Sequence, residues 1–180
     1  MVFHAYDIRG MYGKEIDEAF AKRFAASFIL FLKRKKPKLV VGRDVRIHGG
    51  PLYDALCKEM RKFGAEIYSL GTVPTPLFYF SIVHKEMDGG IMITASHNPA
   101  QWNGFKIKSQ DGASAPTEVE RDVESRLPEI VAQERVERMP LSEGLAKGRI
   151  EYLELDSPYL QHLSSLVDLE SLRQAGIKIA

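Results

Sequence analysis

Apolar positions along this chain return in two rhythms, one near four residues and one near two, and the order in which they alternate sets the architecture. Over 17–32, Phe20, Phe24, Phe28 and Phe31 recur at near-helical spacing. That spacing predicts a helix opening at Asp17, with Asp17 and Glu18 suited to its first turn and the aromatic stripe turned to the core. Lys33-Arg34-Lys35-Lys36 closes it, complementing the negative end of the helix dipole, and Pro37 forbids continuation. Leu39-Val40-Val41-Gly42 then reads as a buried strand ending in Arg43-Asp44-Val45-Arg46, and Pro51 opens a helix to 63 with Leu52, Leu56 and Met60 inward. The next strand is expected over 65–70, and the stiff connection Gly71-Thr72-Val73-Pro74-Thr75-Pro76 leads into a helix over 77–84. Gly90-Ile91-Met92-Ile93 is a short buried strand, Phe105-Lys106-Ile107-Lys108 a short edge strand, Asp111-Gly112 a turn, and 117–127 a polar helix. At the amino end, 3–10 alternates weakly, as a strand or extended arm before a turn at 10–13.

Strands alternating with helices predict an α/β domain over 1–127, a mixed β-sheet layered between α-helices. Residues 128–149, charged and rich in breakers, read as a linker. A strand pair near 150–155, helices over 158–166 and 168–174, and a strand over 176–180 read as the start of a second α/β unit cut at Ala180.

Composition narrows the function classes. The 180 residues carry 25 basic and 24 acidic side chains, so no overall field draws the chain to nucleic acid or a membrane. The run at 33–36 reads as a solvated cluster, because no aromatic side chains interleave with it. The longest apolar stretch, 25–32, is too short to span a bilayer, and no signal-peptide pattern opens the chain. The one cysteine, Cys57, fits a helical apolar pattern with Leu52, Leu56 and Met60, which makes it a core residue and points to a reducing, cytoplasmic compartment.

Chemistry concentrates at Thr94-Ala95-Ser96-His97-Asn98-Pro99, followed by Asn103-Gly104-Phe105-Lys106. Ser96 falls where a buried strand spills into a loop, a place held rigidly and reachable from solvent. His97 and Asn98 add hydrogen-bonding groups, Lys106 a positive charge, and Gly104 room for close backbone approach. The set suits an anionic, oxygen-rich substrate and a serine that attacks or carries a group, given a base, a metal or a good leaving group. Taken by itself, Ser-His-Asn-Pro is also a turn sequence, and Asp7 with Arg9 is a surface pair.

The order of residues goes further. The serine stretch, with Lys106 at its spacing, resembles the active-site loop of the α-D-phosphohexomutases, the phosphoglucomutase and phosphomannomutase family, and Ala5-Tyr6-Asp7-Ile8-Arg9-Gly10 resembles that family's opening motif. Gly42-Arg43-Asp44-Val45-Arg46 and Val73-Pro74-Thr75-Pro76 resemble family segments too, with a departure after Arg46, where Ile47-His48 stand in place of the usual serine. The resemblance implies an enzyme that interconverts hexose 1-phosphate and 6-phosphate, of mannose or glucose, through a phosphoserine and a bisphosphorylated intermediate. Ser96 is then the phosphoryl carrier, and a phosphate oxygen on it a ligand of Mg²⁺. His97 and Lys106 handle charge and protons, Arg9 steadies the phosphoryl group, and Tyr6 and Asn98 line the substrate side. It further implies a hexose 1,6-bisphosphate activator, and remaining domains of the same polypeptide holding the metal's aspartates, the sugar loop and a phosphate loop. No three aspartates alternate in this sequence, so the chain alone is expected to be inactive. Two other classes stay open: a non-catalytic sugar-phosphate binding module, and a serine hydrolase using Ser96 and His97 with Asp44 or Asp88. The hydrolase lacks the G-x-S-x-G elbow, and adjacent Ser and His side chains are not expected to meet.

Overall fold

The computed structural model describes residues 3–4, 7–130, 146–148 and 150–178. Seven strands form one mixed sheet: β1 (Phe3–His4), β2 (Asp7–Met11), β3 (Lys38–Arg43), β4 (Glu66–Thr72), β5 (Gly89–Ile93), β6 (Trp102–Ser109) and β7 (Ile150–Tyr152). Their order across the sheet is β1-β2-β6-β5-β3-β4-β7. β5, β3, β4 and β7 run parallel, while β1, β2 and β6 add an antiparallel flank. Six helices accompany them among the described elements: α1 (Glu18–Leu32), α2 (Gly49–Lys62), α3 (Thr75–His84), α4 (Thr117–Ile130), α5 (Asp156–Ser165) and α6 (Leu169–Gln174). The expected α/β class, with helices on both faces, is what the chain adopts.

Strand periodicity explains the layering. Leu39 and Val41, Ile91 and Ile93, and Phe105 and Ile107 point to one face and pack against Phe24 and Phe28 of α1 and Leu52, Leu56 and Met60 of α2, with Val123 of α4 closing the layer. The alternate residues Val40 and Met92 point to the other face, where Phe78 and Ile82 of α3 cover them. α1 starts where expected: Asp17 caps it by accepting from the Phe20 N–H at 2.7 Å. Its last helical residue is Leu32, so the basic run lies beyond the helix, beginning with Lys33 as a left-handed C-cap at φ 51°. Cys57 is fully buried, and burial pushes its thiol up to about 12.

Three expectations need correction. β6 is eight residues long and interior, not a short edge strand, because the amino-terminal β2 returns to pair with it. Instead of a local strand pair near 150–155 there is one strand, β7, which adds to β4 in parallel, so the sheet takes up three residues of the stretch assigned to a second unit. Residues 176–178 form no strand; Ile179 and Ala180 lie outside the described residues, as do 131–145 and 149 of the expected linker.

Candidate active site

β3 and β5 are parallel neighbours, so the loops that leave their carboxyl ends, 44–48 and 94–101, emerge side by side. The Asp44 N–H donates to Ile93 O at 3.0 Å and starts the connection between them. Asp44 then holds Thr94, whose hydroxyl donates to Asp44 Oδ2 at 2.7 Å while accepting the Ser96 N–H at 2.9 Å. Asn98 N–H donates to Ala95 O at 3.0 Å, closing a turn around the serine. Ser96 is exposed, and its φ of 56° is left-handed, a region a side chain enters only when its surroundings compensate roughly 1–2 kcal/mol.

That turn brings Ser96 Oγ within 3.3 Å of His97 Nδ1. The adjacent side chains therefore do meet, against expectation, because a left-handed residue in a turn does not send successive side chains to opposite sides as a strand does. Of the acids considered alongside them, Asp44 is bonded to Thr94 and Arg46, and Asp88 lies at the other end of the sheet with Arg34 and Lys38.

Arg9 comes from β2. Its Nη1 donates to Asn98 Oδ1 at 2.6 Å, which sets the guanidinium against the serine turn. Arg9 is registered opposite Gly104 on β6, and Lys106 lies two residues further along the same face. Diagonal neighbours of this kind have Cα atoms roughly 7–8 Å apart. Both cations thus stand on the sheet face opposite the one that carries Phe105 and Ile107. Lys106 also lowers the Lys108 pKa, second to burial, placing the two ammonium groups in electrostatic reach of one another. Gly104 is what permits this corner: a Cβ there would sit 2.1 Å from Ile8 O and 3.0 Å from Thr94 O.

The position where the sequence departs from the expected pattern is held by its own local contacts. His48 stacks on Tyr12 with centroids 4.5 Å apart, and its Nδ1 lies 3.0 Å from Asn103 Nδ2. Asn103 in turn accepts the Gly104 N–H through Oδ1 at 2.8 Å. A hydrogen bond to Glu18 is the main cause that pushes the Tyr12 phenol up to about 12.

Ser96, His97, Asn98 and Arg9 are thus brought together, with Lys106 on the adjoining stretch of β6. Tyr6 lies outside the described residues. Arg46 and Thr94 carry no role of their own in the sequence reading, although both stand in segments that resemble the family, and Asp44 carries one only as a hydrolase acid. The available signal was a charged cluster immediately after a strand that would neighbour the serine's own strand. Among the described residues no three His, Cys, Asp or Glu side chains are grouped to hold a metal, so a cation at Ser96 would need ligands from elsewhere. No helix among them is long and apolar enough to cross a membrane.

Comparison with known proteins identifies the family and the fold. The family described as "Phosphoglucomutase/phosphomannomutase, alpha/beta/alpha domain I" matches residues 1–134. A phosphoglucosamine mutase of Caldicellulosiruptor bescii is 32% identical over 180 residues, covering 99% of this chain and 39% of that protein. A phosphomannomutase of Escherichia coli is 36% identical over 173 residues, covering 94% and 36%. The crystal structure of a phosphomannomutase-type protein of Thermus thermophilus superposes with a TM-score of 0.80 at 30% identity, covering 94% of this chain and 37% of that one. The chain therefore spans about two fifths of the length of the relatives it matches. It belongs to the phosphoglucomutase/phosphomannomutase family, and residues 1–134 match that family's domain I.

Proposed function

We propose that this chain is the phosphoryl-carrying part of a phosphohexomutase that interconverts hexose 1-phosphate and 6-phosphate, with Ser96 as the carrier. The observation that carries the reading is an exposed serine hydroxyl in a left-handed turn at the carboxyl end of β5, with Arg9 bonded to Asn98 two residues along the same turn.

Phosphoryl transfer asks for positioning and charge neutralisation more than for covalent chemistry. In one direction the Ser96 O–P bond breaks as a sugar hydroxyl oxygen bonds to phosphorus in line, and the sugar proton leaves for a base. The second half-reaction returns a phosphoryl group from the other position of the bisphosphorylated sugar. His97, 3.3 Å from Ser96 Oγ, is placed to exchange a proton there. A phosphate on Ser96 carries roughly −1.5 to −2 charge at pH 7. Arg9 and Lys106 offset part of it, and Asn98 orients the Arg9 guanidinium. Mg²⁺, when bound, would withdraw further charge from the phosphate oxygens. This chain's contribution to holding it is the phosphate on Ser96, and the carboxylate ligands belong to the rest of the polypeptide. The hexose, whether mannose, glucose or glucosamine, is chosen by the same remaining part, so the 180 residues alone are inactive. A hexose 1,6-bisphosphate primes Ser96.

The reading is tested with the full-length polypeptide and labelled glucose 1,6-bisphosphate. Label is expected on the peptide containing Ser96, and none in Ser96→Ala, which also loses turnover of glucose 1-phosphate and mannose 1-phosphate. Undiminished turnover in Ser96→Ala removes the carrier role.

A further inference from the structure

We propose that Arg46 is a positioning residue that holds Ser96 in its reactive geometry and makes no contact with substrate phosphate. A guanidinium has five N–H donors. At Arg46 all five are taken: Nε donates to Asp44 Oδ2 at 3.1 Å, Nη1 to Pro99 O at 2.7 Å and Trp102 O at 3.0 Å, and Nη2 to Ser96 O at 3.1 Å and Asn98 O at 2.7 Å. The side chain is only 12% exposed and ion-paired with Asp44, so neither donors nor net charge remain to offer an anion. An arginine beside a phosphoserine would ordinarily be taken as a phosphate ligand; full occupation of its donors by backbone carbonyls and Asp44 assigns it to the loop instead.

The same network reaches both backbone polar groups of Ser96. Arg46 takes the carbonyl, and Thr94, itself bonded to Asp44, takes the N–H. The left-handed conformation of Ser96 is thereby fixed from both sides, so the direction of Oγ is set before any substrate arrives. Lysine cannot replace this fork, because an ammonium has three donors from one point and cannot span four carbonyls. Arg46 therefore contributes to the rate of phosphoryl transfer and not to the capture of sugar phosphate.

This inference rests on Ser96 being the carrier, and the experiment separates the two. In the full-length polypeptide, Arg46→Lys and Thr94→Val are compared with the wild type for kcat and KM on glucose 1-phosphate and mannose 1-phosphate, and for amide hydrogen exchange across 94–102. Arg46→Lys is expected to lower kcat by about 10- to 100-fold, since small misplacements of a reacting group cost rate on that scale. KM should stay within about twofold, the pattern of an interaction that serves the transition state. Exchange across 94–102 should quicken while other segments keep their rates, and Thr94→Val should repeat both effects more weakly. A raised KM with unchanged kcat overturns the proposal, because Arg46 would then be binding substrate. Unchanged kcat and exchange in both variants, with Ser96→Ala inactive, overturns the positioning role and leaves the carrier standing. Full turnover in Ser96→Ala overturns both.

Discussion

An arginine and an aspartate pair at each end of β3, across two loops at the amino end and within one loop at the carboxyl end, and the shorter pair is the lesser one. At the amino end Arg34 Nη1 lies 2.6 Å from Asp88 Oδ1, with the arginine side chain 54% exposed. At the carboxyl end Arg46 Nε lies 3.1 Å from Asp44 Oδ2, with the arginine 12% exposed. Solvent screens the first pair, and its flexible partner recovers water whenever the contact opens. The second pair sits inside a lattice of backbone carbonyls that water cannot easily replace, so separating it would orphan several groups at once. Distance does not rank these interactions; what each arginine's remaining donors are doing does. The amino end is a surface closure, while the carboxyl end is a built site.

Substitutions made in pairs, one at each end, sharpen that contrast. The largest difference is expected between two glycines. Gly104→Ala puts a methyl group against Ile8 O and should cost about 3 kcal/mol. Gly112→Ala, in a turn at the amino end with φ 76°, meets the Val83 side chain at 3.3 Å, which a small shift relieves, and should cost about 1 kcal/mol, mainly from its backbone. Urea midpoints measure both. Next come the two aspartates: Asp44→Asn weakens charge-assisted bonds from Arg46 and Thr94 and should cost about 2 kcal/mol. Asp88→Asn should cost under about 1 kcal/mol, and added salt should narrow that difference. Equal losses at the two ends would erase the distinction.

A further effect appears only at alkaline pH and does not separate the two ends. Cys57 has its thiol raised from 9.0 to about 12 by burial, so in the native state it keeps its proton where the unfolded chain has lost it. Its contribution is constant below about pH 9 and is lost as pH rises from there towards 12, and Tyr12, raised from 10.0 to about 12, adds to the decline above pH 10. Stability measured across that range should fall, Cys57→Ala should remove the first part of the fall, and native Cys57 should resist alkylation at pH 8.

Local pattern carried much of this into view from the sequence. The phenylalanine stripe of α1, its start at Asp17 and the buried run before Ser96 are each written in contiguous residues, and each appears where expected, with Asp17 capping the helix instead of lying in its first turn. What could not be read depends on partners far apart in sequence. The Arg46 carbonyl bonds span 50 or more residues and exist only because β3 and β5 are neighbours. β6 looks like an edge because its alternation is half polar, yet Lys106 and Lys108 face the side carrying α3 and the strand is flanked on both sides. The Ser96–His97 contact turns on one backbone angle, which no residue in Thr94-Ala95-Ser96-His97 announces.

The most direct test is the site of phosphate on the full-length polypeptide after exposure to a hexose 1,6-bisphosphate, mapped by peptide mass, followed by chase with unlabelled hexose 1-phosphate. Phosphate on Ser96 that passes to the sugar during the chase is the predicted result. Phosphate mapped to any other residue, or a phosphoserine at 96 that never leaves, contradicts it.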